Sequence, residues 1–178
     1  VSLLSGSGTL TGTLTQSTNA AGVATFPGLV LTGTIGPRTL LFSSASIASD
    51  TTSAITLTPG TATALEYVQQ PTTVVAGQVI SPSPTVRVRD GAGNTVTTAT
   101  NTVTVALGAN PGASTLGGTL SVAAVGGVAT FSTLSLNRAA AGYTLAASAA
   151  GLTGVTSSAF TVNPGAATAL AITTSPPT

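Results

Sequence analysis

Cysteine, histidine, methionine, tryptophan and lysine are all missing from this 178-residue chain. Each absence closes off some chemistry. Without His or Cys there is no ligand set for zinc, copper, haem or an iron–sulfur cluster. Without His there is no Ser-His-Asp or Cys-His nucleophile. Charge is almost absent as well: 4% of residues are charged, against about 25% in ordinary globular chains. The ionisable side chains are Arg38, Arg87, Arg89, Arg138, Asp50, Glu66, Asp90, Tyr67 and Tyr143. A net charge of +1 on four scattered arginines cannot neutralise a row of phosphates, so no nucleic-acid partner is expected. Neither an enzyme nor a cofactor or metal site is expected.

Long apolar runs are lacking too, despite a mean hydropathy of +0.53. The longest weakly polar stretch, Ser121–Phe131, is broken by Gly126 and Gly127 and falls well short of the ~18 residues a helical span needs. No membrane span is expected. The hydrophobicity is instead distributed in alternation, with Thr or Ser between Val, Leu and Ala, as half-buried strands require.

What the chain does have is a repeat. Gly22–Phe26 recurs as Gly127–Phe131, an offset of 105 between Phe26 and Phe131. The same offset carries Leu29 and Leu31 onto Leu134 and Leu136, and Thr39-Leu40 onto Thr144-Leu145. It also carries Pro59-Gly60 onto Pro164-Gly165 and Ala62–Leu65 onto Ala167–Leu170. The phase of the repeat divides the chain into three. Residues 1–60 match only the later part of a repeat, 61–165 make one complete copy, and 166–178 match only its first strand. This phase leads us to expect either a window of a longer array or fragments completed by neighbouring copies.

In the complete copy, Thr63–Gln69, Thr85–Arg89 and Val103–Leu107 read as strands, with Val86 and Val88 facing a core and Arg87 and Arg89 facing water. Thr95–Thr98, Thr115–Val122, Val128–Leu136, Tyr143–Ser148 and Ser158–Val162 read as further strands between Gly, Pro and Asn turns. Ser81–Pro84 reads as an extended edge. The expected fold is all-β: tandem immunoglobulin-like β-sandwich repeats with no substantial helix. Tyr143, two residues before Leu145, stands where such a sandwich has its tyrosine corner; the matching residue in 1–60 is Arg38.

The pattern Val86, Val88, Asp90, Gly93, Asn94, Val96 resembles the bacterial immunoglobulin-like tandem repeats of the invasin/intimin type. Gly127–Phe131, Ala141–Leu145 and Gly151-Leu152 resemble them too. The resemblance implies a repeat of a bacterial surface or secreted protein, serving as a fibre, stalk or adhesin.

Few residues invite a sharper reading. Asp90, Gly91, Gly93 and Asn94 suit a turn, and one carboxylate is too few for a tight calcium site. Glu66 and Asp90 could be imagined as a glycosidase pair, but aromatic platforms for sugar are lacking and no active pair is expected. Ser81 and Ser83, and Thr174 and Ser175, lie beside prolines and are candidate O-glycan acceptors, so covalent glycan is a candidate partner. With so little charge and no lysine to guard strand edges, the surface is expected to be covered by subunit contacts or by glycan. Both belong outside the cell, on its surface or in a secreted polymer. The reading reached is a structural subunit of an extracellular fibre or stalk, whose partners are copies of itself joined head to tail. Ala167, Ala169, Leu170 and Ile172 are the expected donor-strand contacts. The alternative is an adhesin recognising host protein or glycan, for which Tyr67 and Arg138 are the best contact residues.

Overall fold

The computed structural model describes residues 1–169, all in strands, turns and loops, with no helix among them. Residues 1–60 form β1 (Ser2–Ser5), β2 (Thr9–Thr11), β3 (Val30–Thr32), β4 (Gly36–Ser44), β5 (Ile47–Thr51) and β6 (Ile55–Leu57). Next come β7 (Ala62–Gln69), β8 (Val74–Val75), β9 (Thr85–Asp90), β10 (Thr102–Leu107), β11 (Leu116–Gly117) and β12 (Ser121–Ala123). The last are β13 (Val128–Thr130), β14 (Ser135–Leu136), β15 (Ala140–Tyr143), β16 (Leu145–Ser148), β17 (Val155–Thr156) and β18 (Phe160–Asn163). The chain is an all-β sandwich protein.

In residues 61–165 one layer runs β13-β9-β7 and another runs β12-β10-β16-β17, with β15-β18-β8 beside them. The layers meet through alternate side chains. Leu65 and Tyr67 come from β7, Val86 and Val88 from β9, Val103 and Val105 from β10, and Leu145 and Ala147 from β16, all buried in one core. Between Val86 and Val88, Arg87 turns outward, as the period of two demands. Phe131, Leu134 and Leu136 complete the core.

The strands are shorter and more numerous than the alternation suggests: Val128–Leu136 forms only β13 and β14, with Phe131–Leu134 between them. Thr115–Val122 is split into β11 and β12 at Gly118, whose φ of 101° and contact with the Thr133 carbonyl exclude any Cβ. Thr95–Thr98 contributes only a single bridge, Thr95 with Arg89. Ser81–Pro84 is not a strand; Pro84 is buried and its carbonyl accepts the Phe131 amide. Tyr67 is buried and donates its hydroxyl to the Leu145 carbonyl at 3.3 Å, so it is not a surface contact residue.

Several pairings recur at the sequence offset. Leu31 and Leu136 correspond at the offset, while their partners Leu10 and Leu116 lie one residue off it. Leu41 pairs Thr51 and Ala146 pairs Thr156; Arg38 pairs Ile55 and Tyr143 pairs Phe160. The difference lies in what covers them. Residues 1–60 have no counterpart of β7, β8 or β9. Val23–Thr25, aligned with β13, is not a strand, because β13 exists by pairing with β9. Phe131, Leu134 and Leu136 are fully buried, whereas Phe26, Leu29 and Leu31 are half-buried. Leu40 and Leu145 are both buried.

Phe131→Ala should therefore cost about 3–5 kcal/mol of stability, and Phe26→Ala clearly less. Urea denaturation of the two variants beside the parent chain checks both.

Candidate functional site

Among the described residues no group of three or more His, Cys, Asp or Glu gathers, and the densest set of side-chain hydrogen bonds lies where the two halves of the chain meet. Gly60 leads directly into β7, and the turn after β9 folds back onto it. The Asp90 carboxylate accepts the Gly60 amide at 2.8 Å, the Ala92 amide at 2.9 Å, the Asn94 amide at 2.8 Å and the Asn94 side-chain amide at 2.9 Å. Both oxygens are occupied by N–H donors, which is how a short loop of Gly and Ala stays closed at Asp90 and Asn94, both buried. Gly93, at a φ of 85°, supplies the left-handed step the turn needs. The expected turn of Asp90, Gly91, Gly93 and Asn94 is present.

The sequence did not reveal the second role of Asn94. Its side chain also reaches the other half of the chain. Nδ2 donates to the Gly33 carbonyl at 3.0 Å, and Oδ1 accepts the Ile35 amide at 3.0 Å. One amide thus clasps both the turn and a loop about sixty positions earlier in sequence. A cleft of about 220 Å³ lies at this junction, bordered by Leu31, Leu57, Asp90 and Ala92.

The Asn94 amide is also the main reason that the Asp90 carboxyl is held at about 2, below its ordinary 3.8; burial opposes this, and the Gly60, Asn94 and Ala92 amides add to it. A depressed carboxyl stabilises the fold above its unfolded value and loses that contribution as pH falls through the folded one.

Glu66 plays no part in this site. It receives Arg87 Nη2 at 3.1 and 3.0 Å on its two oxygens and faces Arg89 Nε at 3.4 Å. Arg87 and Arg89 were expected to face water. The antiparallel register of β7 and β9, with Glu66 opposite Arg87, gives both arginines to Glu66 instead. With Glu66 engaged by arginines and Asp90 saturated by amides, the two carboxyls do not converge on a common substrate position.

The tyrosine corner is present: the Tyr143 hydroxyl donates to the Arg138 carbonyl at 2.8 Å. At the matching position Arg38 is buried and does similar work with a different group. Its guanidinium donates to the carbonyls of Ser7 at 2.9 Å, Pro37 at 2.8 Å and Thr34. Glycine makes room in both places. A Cβ on Gly112 would strike the Tyr143 hydroxyl, and one on Gly6 would strike the Arg38 side chain.

Among the other expected sites, Ser81 is exposed and Ser83 half-buried. Ala167 and Ala169 are exposed and belong to no strand. Leu170, Ile172, Thr174 and Ser175 lie outside the described residues.

No protein-family model and no curated protein matches the chain. Among solved structures, a β-glycosidase from Bacteroides vulgatus is similar at 14% identity and a TM-score of 0.47, over 80% of this chain and 19% of that one. A glycosyl hydrolase family 2 member from Bacteroides cellulosilyticus is similar at 14% identity and a TM-score of 0.47, over 78% of this chain and 18% of its own. The chain thus spans less than a fifth of either enzyme, and at this TM-score the likeness carries no argument about activity.

Asn94→Ala should lose about 1–3 kcal/mol by leaving buried partners unsatisfied, and hydrogen exchange at the Ile35 amide should accelerate. The stability contributed by Asp90 should be complete near neutral pH and fade as pH falls from 3.8 to about 2. A pH series of melting curves, with Asp90→Asn as the reference that lacks this dependence, checks it. Because every Asp90 oxygen already holds amide donors, added chelator should leave the melting temperature unchanged.

Proposed function

We propose that the chain is a structural subunit of a bacterial extracellular fibre or surface stalk. Its working parts are immunoglobulin-like modules of the invasin/intimin type, joined in line and propagating head to tail. The observation that carries this reading is the junction itself. Pro59-Gly60 enters β7 without a linker, and Asn94 and Asp90 tie the turn after β9 to Gly33, Ile35 and Gly60. A short junction held by part-buried hydrogen bonds transmits direction from one module to the next, as a rod needs.

The surface agrees with a covered, non-catalytic protein. Seven charged side chains serve all 178 residues, far below what keeps a free monomer apart from its neighbours. In this reading the uncharged faces meet other copies, and exposed Ser81 is available to O-linked glycan. The binding-module alternative is weakened by the burial of Tyr67, since recognition hot spots favour exposed aromatics and arginine.

Negative-stain images of native material should contain long, uniform filaments whose axial repeat matches a whole number of modules. Dispersed particles that bind glycans on an array, through the isolated 61–165 unit, would favour the adhesin instead.

A further inference from the structure

The first and last strands of residues 61–165 run the same way. β8 pairs with β18 in parallel, Val74 opposite Val162 and Val75 opposite Asn163, and the Ala76 amide donates to the Asn163 carbonyl at 2.9 Å. β7 is tied in the same sense. Ala64 forms a parallel bridge with Thr153, the Leu65 amide donates to the Thr153 carbonyl, and the Thr153 amide donates to the Thr63 carbonyl, both at 2.9 Å. Between β7 and β8, Gln70 adds a side-chain tie. Its Oε1 accepts the Ser158 amide at 3.0 Å and the Ser158 hydroxyl at 3.2 Å, just ahead of β18.

Direction matters because of where the chain enters and leaves this unit. It enters through Gly60 ahead of β7 and leaves through Pro164 behind β18. In a parallel pair, the start of one strand and the end of the other lie at opposite ends. Tension along the chain therefore draws β8 and β18 past each other along their length. The bonds that cross the pair are strained together, and none opens ahead of the rest. In an antiparallel pair the same tethers would leave from one end, and the bonds would open one at a time. Shared loading raises the barrier that governs forced unfolding, although each bond adds little to equilibrium stability.

The surroundings reinforce this geometry. Load arriving at Gly60 is met at once by the end of β9, because the Asp90 carboxylate accepts the Gly60 amide at 2.8 Å. β7 cannot slide without drawing Leu65 and Tyr67 out of the core and breaking the Tyr67 hydroxyl from the Leu145 carbonyl. We propose that residues 61–165 are a force-bearing unit whose mechanical clamp is the parallel contact of β7 with Thr153 and of β8 with β18, with Gln70 as its side-chain member. Tension along the chain presupposes the fibre or stalk reading above, whereas the resistance of the clamp is a property of one molecule.

The chain has no native cysteine, so cysteine pairs set the direction of pull in the whole chain. Handles on Thr61→Cys and Gly165→Cys load β8 against β18 in shear. Handles on Ala139→Cys and Gly165→Cys peel the same β18 from β15, where Ala140 lies opposite Val162 in an antiparallel pair. All three positions are exposed. Single-molecule force spectroscopy at one pulling speed should give a severalfold higher unfolding force in the first geometry. Gln70→Ala should lower that force and leave the peeling force unchanged, because Ser158 lies at the far end of the peeled strand; a general loss of stability would lower both. Equal forces in the two geometries, or a Gln70→Ala effect that is absent or the same in both, would overturn the clamp. Filaments in native material together with equal forces would remove the clamp and leave the fibre. A force difference without filaments would keep the clamp and remove the fibre.

Discussion

A β-sheet with one apolar face needs a second layer over that face, and this chain contains the same strands with and without one. Phe131 and Phe26 end the same five-residue sequence, yet the first is fully buried and the second half-buried. Nothing local distinguishes them. β9 pairs with β13 and brings Val86 and Val88 over the core, whereas Val23–Thr25 has no such neighbour and takes no strand form. The differences in burial and in strand formation between the two follow from that one layer.

Where apolar packing is thin, main-chain carbonyls hold the structure. Arg38 sits buried at the place of a corner tyrosine and spends its donors on carbonyls of three residues. A guanidinium fork suits this work because it offers five donors in fixed directions. Tyr143 ties one carbonyl and fills volume beside Phe160, with ring centroids 6.0 Å apart. The unit with the covered core carries the aromatic, and the unit with the open core carries the hydrogen-bonding cation. A buried charge so dependent on its acceptors is a weaker prop than a ring, since loss of any one leaves a costly donor unpaired.

The sequence made some of this legible and hid the rest for physical reasons. Period-two alternation placed Val86 and Val88 inward and Arg87 outward because it depends only on the strand's own geometry. The corner at Tyr143 was legible because its partner lies five residues away. The partnership of Glu66 with Arg87 was not, since it depends on the register of two strands joined by a long loop. Strand lengths were overestimated where Gly118 at positive φ cut the Thr115–Val122 run, and where Val128–Leu136 broke at Phe131–Leu134 without any glycine. Asn94 was read as a turn residue, which it is. Its grip on Gly33 and Ile35 depends on how two units sit together, and no local pattern encodes that.

That grip is made to main-chain atoms alone: a carbonyl oxygen and an amide nitrogen. The clasp therefore senses the path of the preceding unit rather than the side chain at Ile35, which is 45% exposed. The coupling ignores the side chain on the Ile35 side and depends on a single side chain, Asn94, on the other. Sequence can therefore drift at position 35 without loosening this joint, while position 94 carries its whole chemical requirement.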